Sequence, residues 1–325
     1  MKLNRNYWVT WVMGAALLLA GCSGGRQVHY RPKFTAGEAW SNQVTMKTWM
    51  VLPIGIRDAD TRDTAFRLDC RVREVDTAGR AHIEVAIGEI KAAMHSLSVQ
   101  YSFDSTNDPG LAASESTDKN VQRGEDFSRT FRNLQGQRYT VVVGVDGRAE
   151  LGEISESLKN VSVLTGGDNF GPEQAAVAFY EAYLTDYVVG DMFLGREAEA
   201  FEPNQVWTAD MTVRSPMTDP ITVVKTFNVD SVAAGDGEAK VAVSYDLADK
   251  TEATEQPQPG RAGGMVAVKT IGEGTVVYDL HLGRMVSKED KMRVQVQTAN
   301  RRPVGERAQR NKIFYVMTRK VEAVE

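Results

Sequence analysis

The chain has 325 residues, a net charge of −5, and 42% hydrophobic and 25% charged residues. This is the composition of a folded globular protein with a substantial core, and it excludes a low-complexity or collagen-like chain. Acidic and basic residues are interspersed without a basic stripe, which argues against nucleic-acid binding.

At the N-terminus, Lys2, Asn4 and Arg5 precede an apolar run from Tyr7 to Ala20. A basic segment, a short apolar stretch and small residues at its end predict a secretory signal, and the run is short for a membrane span. Leu19-Ala20-Gly21-Cys22 resembles the lipobox of bacterial lipoproteins. The resemblance implies diacylation of the Cys22 thiol, cleavage before it and acylation of the new amine. Residues 1–21 are then a leader, and residues 22–33 an acylated cysteine with its tether. The alternative is an ordinary signal peptide with an incidental cysteine. Ser23, rather than aspartate, points by analogy with two-membrane bacteria to the periplasmic face of the outer membrane rather than the inner membrane. Removing the leader takes Lys2 and Arg5 with it and leaves a net charge of −7.

The remaining cysteine, Cys70, shares strand parity with Phe66, Leu68 and Val72, which predicts a small buried hydrophobe. The alternative, a thiol nucleophile, needs a neighbouring base, and the sequence supplies none.

From residue 34 onward the chain repeats itself. Phe34-x5-Trp40 matches Phe201-x5-Trp207, Glu74–Ile87 aligns with Ser231–Tyr245, and Val141–Arg148 aligns with Val277–Arg284. The unit is β. Ala81, Ile83, Val85 and Ile87 alternate with His82 and Glu84, and Ala239, Val241, Val243 and Tyr245 alternate with Lys240, Ala242 and Ser244. A period of two predicts antiparallel strands with one buried and one wet face. Leu97–Phe103 and Met292–Val296 alternate likewise. Thr77-Ala-Gly, Asp146-Gly, Gly235-Asp-Gly and Leu282-Gly mark turns.

Between the halves the period changes. Gly171-Pro172-Glu173 predicts a helix start, after which Ala176, Phe179, Tyr180, Tyr183, Leu184 and Tyr187 share one helical face. A shorter helix is predicted from about Ile154 to Leu164. Residues 104–124 and 249–264 read as polar loops. The boundaries are 34–152 for the first β repeat, 153–196 for a helical connector and 197–325 for the second repeat.

No His-Glu-x-x-His, Gly-x-Ser-x-Gly or phosphate-binding glycine loop is present. The four histidines lack metal-ligand spacing, so neither a metal nor a cofactor is expected. His82 reads as a surface residue. Asp58, Asp60 and Asp63 read as a solvated loop without the calcium pattern. Phe179, Tyr180, Tyr183 and Tyr187 are the candidate ligand-lining residues, because a tyrosine ring packs while its hydroxyl reaches a polar group. The alternative is a helix packed as plain core. Trp40 and Trp207, at equivalent positions, read as structural anchors.

The lipobox, the two Phe-x5-Trp starts and the Gly-Arg closing each valine-rich hairpin resemble uncharacterised bacterial lipoproteins with a duplicated domain of unknown function. The resemblance implies a β-rich, envelope-anchored protein without known enzymatic activity, and it brings no functional residues. The expected fold is mainly β with a central helical segment: two curved antiparallel sheets or half-barrels, one per repeat, bridged by helices. That outline resembles periplasmic lipoprotein carriers, an analogy that does not fix function. The expected function is a non-catalytic envelope lipoprotein binding an apolar ligand or a protein partner. The alternatives are a structural envelope lipoprotein without ligand, and a hydrolase with an unrecognised site.

Overall fold

The computed structural model describes residues 28–29, 33–51, 60–96, 99–108, 110, 117–154, 200–215, 218–235, 238–249, 265–298 and 312–324. The strands are β1 (Val28–His29), β2 (Ala39–Val51), β3 (Asp60–Val75), β4 (Ala81–Ser96), β5 (Gln100–Asp104), β6 (Arg138–Val143), β7 (Ala149–Ile154), β8 (Ala200–Phe201), β9 (Val206–Ser215), β10 (Thr218–Gly235), β11 (Glu238–Asp249), β12 (Met265–Asp279), β13 (Arg284–Thr298) and β14 (Lys312–Val324). One helix, α1 (Lys119–Leu134), lies between β5 and β6.

The alternating stretches form strands whose apolar parity is buried. Val44, Leu68, Val72, Ile83, Val85, Val141, Val241 and Val243 are each at most 1% exposed, and Cys70 lies among them. All pairings are antiparallel. Twelve strands make one open sheet in the order β7-β6-β4-β3-β2-β14-β13-β12-β11-β10-β9, with β5 pairing the distal half of β4. The first correction to the sequence reading follows. The two repeats do not form separate sheets, because β2 pairs with β14 from Ser41 opposite Val324 to Val51 opposite Phe314; apart from this sheet, β1 pairs only with β8. Period-two patterning sets which face of a strand is buried but does not choose the strand's partner across the chain.

The two Phe-x5-Trp segments build the same turn. Gly37 and Asn204, each three residues after the phenylalanine, have φ of +89° and +66°. The Gly37 N–H donates to the Val72 carbonyl (2.9 Å) and the Val72 N–H to Glu38 (2.9 Å). The Asn204 N–H donates to Val229 (2.8 Å) and the Val229 N–H to Gln205 (2.9 Å). In both turns the phenylalanine and tryptophan ring centroids are 6.3 Å apart. Beside Trp40, the Arg284 guanidinium lies 4.2 Å from the ring centroid and donates to Glu38 (2.9 Å), spanning β14 to tie β13 to β2.

The second correction is α1, whose first residues fall in the stretch read as a 104–124 loop. Asp118 caps it, its side chain accepting from the Asn120 N–H at 2.8 Å. Phe127, Phe131 and Leu134 form its buried stripe, at the helical spacing of i, i+4, i+7. Phe127 packs on Tyr101 and Phe131 on Phe103 of β5, each with ring centroids 6.0 Å apart. Asp60 and Asp63, read as loop, lie in β3. Of the predicted 154–164 helix only Ile154 is described, as the last residue of β7; the rest of it and the predicted 173–187 helix, with Phe179, Tyr180, Tyr183 and Tyr187, lie outside the described residues.

Candidate functional site

Register places ten residues in a single row across the sheet: Trp207, Phe227, Tyr245, Gly274, Asp290, Arg319, Met46, Thr64, Ala92 and Phe103. Paired residues share a face, so this row belongs to the apolar side. From Tyr245 to Phe103 all its members except Gly274 are buried.

The residues flanking the row have the opposite parity, and together with Met46, Thr64, Ala92, Phe103, Tyr245, Gly274, Asp290 and Arg319 of the row they border a cavity of about 1020 Å³. Thr45 and Lys47 contribute from β2, Asp63 and Ala65 from β3, Lys91 and Ala93 from β4. Ser244 and Asp246, Glu273 and Thr275, Glu289 and Lys291, and Thr318 and Lys320 contribute from β11 to β14, with Asp104 and Val206 at the two extremes. Ten flat strands would span roughly 43 Å at about 4.8 Å each. One cavity of this volume can touch all ten only if the sheet is curved. The sheet therefore curls, and the cavity is a trough running across the strands.

The trough carries five acids (Asp63, Asp104, Asp246, Glu273, Glu289) and four lysines (Lys47, Lys91, Lys291, Lys320) on its wet parity. Lys47 lies 3.6 Å from Asp63, and Lys91 lies 3.5 Å from Asp104. The Thr106 hydroxyl and N–H, outweighing desolvation, hold Asp104 down at about 2. The lining suits a ligand of mixed polarity.

On the apolar parity, Tyr245, Asp290 and Arg319 of the lining belong to a buried charge cluster. The Tyr245 hydroxyl donates to Asp290 Oδ2 at 2.7 Å. Lys288 Nζ is 3.1 Å from the same oxygen, and the Arg319 guanidinium grips both carboxylate oxygens. Lys225 Nζ sits 3.8 Å from the Tyr245 ring centroid, a cation–π contact. Gly274 makes room for this bond: a Cβ there would stand 2.6 Å from the Tyr245 hydroxyl and 2.7 Å from Asp290 Cβ. Burial pushes the Asp290 carboxyl up, but Arg319 and Lys288 outweigh it and hold it at about 2. A group ionised at every working pH is a poor proton shuttle but a sound brace for β11, β13 and β14.

Cys70 is 2% exposed, and burial drives its thiol well above the ordinary range against the opposing pull of Arg284. His82 is half-buried beside Asp76 (3.6 Å), whereas His95 and His281 are exposed. Among the described residues no group of three or more His, Cys, Asp or Glu could hold a metal ion, and no helix is long and apolar enough to cross a membrane.

Sequence reasoning missed both the trough and the buried cluster. The signal for the cluster was present: Lys225 stands between Val223 and Phe227, and Asp290 two residues before Met292, on the buried parity. The trough left no local signal, since its lining takes residues of both parities from ten strands and exists only through the curl.

No family model and no curated protein matches the chain. Among solved structures, the chain is similar to one of lipid–protein interactions in lipovitellin, with a TM-score of 0.43 and 10% identity over 90% of this chain and 26% of that chain. It is also similar to the crystal structure of Pseudomonas aeruginosa OpdQ, with a TM-score of 0.20 and 7% identity over 90% of this chain and 100% of that chain. At these TM-scores neither likeness carries an argument about ligand or partner.

Proposed function

We propose that this chain is a non-catalytic lipoprotein, anchored by lipid on Cys22 at the periplasmic face of the outer membrane, that binds a protein segment in the trough of its curved sheet. The supporting observation is the trough itself. A cavity of about 1020 Å³ is at the upper end of small-ligand pockets. Its interleaved acids, lysines and hydroxyls complement a polypeptide of mixed charge better than a uniformly charged polymer. The shared Phe-x5-Trp turns support a duplication of the two β halves within the one sheet.

The test is a photo-crosslinking residue placed in the lipoprotein in cells at Thr275 or Lys47 in the trough, and at Arg71 on the same face outside it. The expected result is a discrete protein adduct from the two trough positions and none from Arg71. Equal adducts at all three, or none anywhere, would remove the trough as a binding site.

A second reading keeps the apolar ligand. It is favoured by the apolar face of the sheet, which continues from Tyr139 and Val141 on β6 to Val223 and Val229 on β10. There Phe179, Tyr180, Tyr183 and Tyr187 would supply the lining. Saturable binding of a fluorescent fatty acid by protein lacking residues 1–22, weakened by Tyr183→Ala, would establish it.

A further inference from the structure

The two halves of the sheet match strand for strand, with one exception. Trp40 stands opposite Cys70, and Trp207 opposite Phe227. Just beyond, β3 bulges against β4 between Val72 and Glu74, and β10 bulges against β11 between Val229 and Ser231. Gly147 and Gly283, each followed by arginine, turn their hairpins at φ of +76° and +65°. β2, β3, β4, β6 and β7 are therefore the counterparts of β9, β10, β11, β12 and β13. β14, which joins β13 to β2, has no counterpart among the described residues of the first half. The two strands that such a counterpart would join, β7 and β9, are the two ends of the strand path.

Both ends suit one more strand. The path holds eleven strands, each antiparallel to its neighbours, so β7 and β9 run in the same direction. A single strand between them would be antiparallel to both, as β14 is to β13 and β2. The curl carries the margins of the sheet toward each other, since Val206 of β9 and Asp104 of β5 border the same cavity. The edges also specify a charge. Counted from the hairpin glycines, Glu153 takes the place of Glu289, which stands opposite Lys320. Counted from the phenylalanines, Asp210 takes the place of Gln43, which stands opposite Glu322. Glu153 and Asp210 are exposed, as is Glu150 on β7. An added strand would thus meet acids at two positions two residues apart, where opposite charge stabilises a cross-strand pair. The position between them corresponds to Val321, which is buried.

We infer that the edges of β7 and β9 take up one extended segment of a partner protein, with basic and apolar residues in alternation, as an added antiparallel strand. The inference rests on the reading of the chain as a binder of protein segments and gives that segment its conformation and its charge. Backbone N–H and C=O groups of the edge supply the affinity, and side chains at alternate positions supply the selectivity. The sequence linking β7 to β8, residues 155–199, has only Lys159 and Arg196 as basic residues, so it does not supply the pattern. A second copy would bring the same acids at its own free edges.

The test uses the full lipoprotein in non-ionic detergent with three short synthetic peptides. One alternates valine and lysine, one alternates valine and glutamate, and one carries the valines and lysines in separate blocks. Residue-resolved hydrogen exchange should slow about tenfold at alternate amides of β9, those not bonded to β10, with the alternating lysine peptide alone. Glu150→Lys with Glu153→Lys should weaken that peptide about tenfold and turn the preference to the glutamate peptide, with the melting temperature unchanged. No slowing at β9, or equal slowing by the lysine and glutamate peptides, would overturn the inference. Alternate β9 amides already slow without peptide would show an edge filled by the chain itself or by a second copy, and would overturn it as well. A photo-crosslink from Thr275 in the trough to the lysine peptide, without slowing at β9, would overturn the added strand and leave the trough as the binding site.

Discussion

Asp290 holds the most demanding position of any described side chain, a carboxylate on the apolar face gripped by Arg319, Lys288 and Tyr245. Its folded-state value of about 2 lies below the ordinary aspartate value of about 3.9. A depressed acid contributes stability above its unfolded value and loses it as the pH falls through its folded value. Its contribution should therefore fade between about pH 4 and pH 2, by on the order of 2 kcal/mol. Asp290→Asn should be less stable at neutral pH by about 3 kcal/mol and should show a flatter acid limb in urea titrations from pH 4 to pH 2. Asp76 and Asp104, also held at about 2, titrate in both proteins and cancel in the difference; parallel acid limbs would exclude the ionised cluster. Cys70 behaves oppositely, because burial, with a smaller push from Asp69, keeps its thiol protonated. It should resist iodoacetamide in native protein and react once urea unfolds the sheet, and rapid native alkylation would expose it.

At the scale of the element, the paired Phe-x5-Trp turns explain why the repeat was legible. Each needs one residue at positive φ, three places after the phenylalanine, and one half uses glycine where the other uses asparagine, the two residue types that tolerate it most readily. At Gly37 nothing lies within 4 Å of an added Cβ, so Gly37→Ala carries only the backbone cost of about 1–2 kcal/mol. Asn204→Gly should leave stability unchanged or raise it slightly, and Asn204→Val should lower it by more than Gly37→Ala. Urea midpoints check the order; insensitivity of both sites to β-branching would contradict the shared turn. The helix α1 was hidden for a different reason. Its buried apolar residues, Phe127, Phe131 and Leu134, begin only at its third turn, and the one large apolar residue before them, Val121, is exposed. Its cap at Asp118 sits inside the polar 104–124 stretch, where composition alone reads as loop.

For the whole molecule, strand identity and the buried parity were readable residue by residue, because alternation is local. The joining of the halves was not, because β2 finds β14 more than 260 residues away, and no local pattern specifies that choice. The trough depends on the same seam: Thr45 and Lys47 reach it from β2, and Thr318 and Lys320 from β14. A protein of two separate half-barrels would have no such surface. The most direct measurement is disulfide formation in Thr45→Cys/Lys320→Cys. These residues are direct neighbours across the seam, and Thr45 has Ala65 as its neighbour on the other side. Under mild oxidation the seam pair should cross-link as readily as the within-half control, Thr45→Cys/Ala65→Cys, with the fold retained. Ready cross-linking of the control while the seam pair stays reduced would show that the halves are not one sheet and would remove the trough.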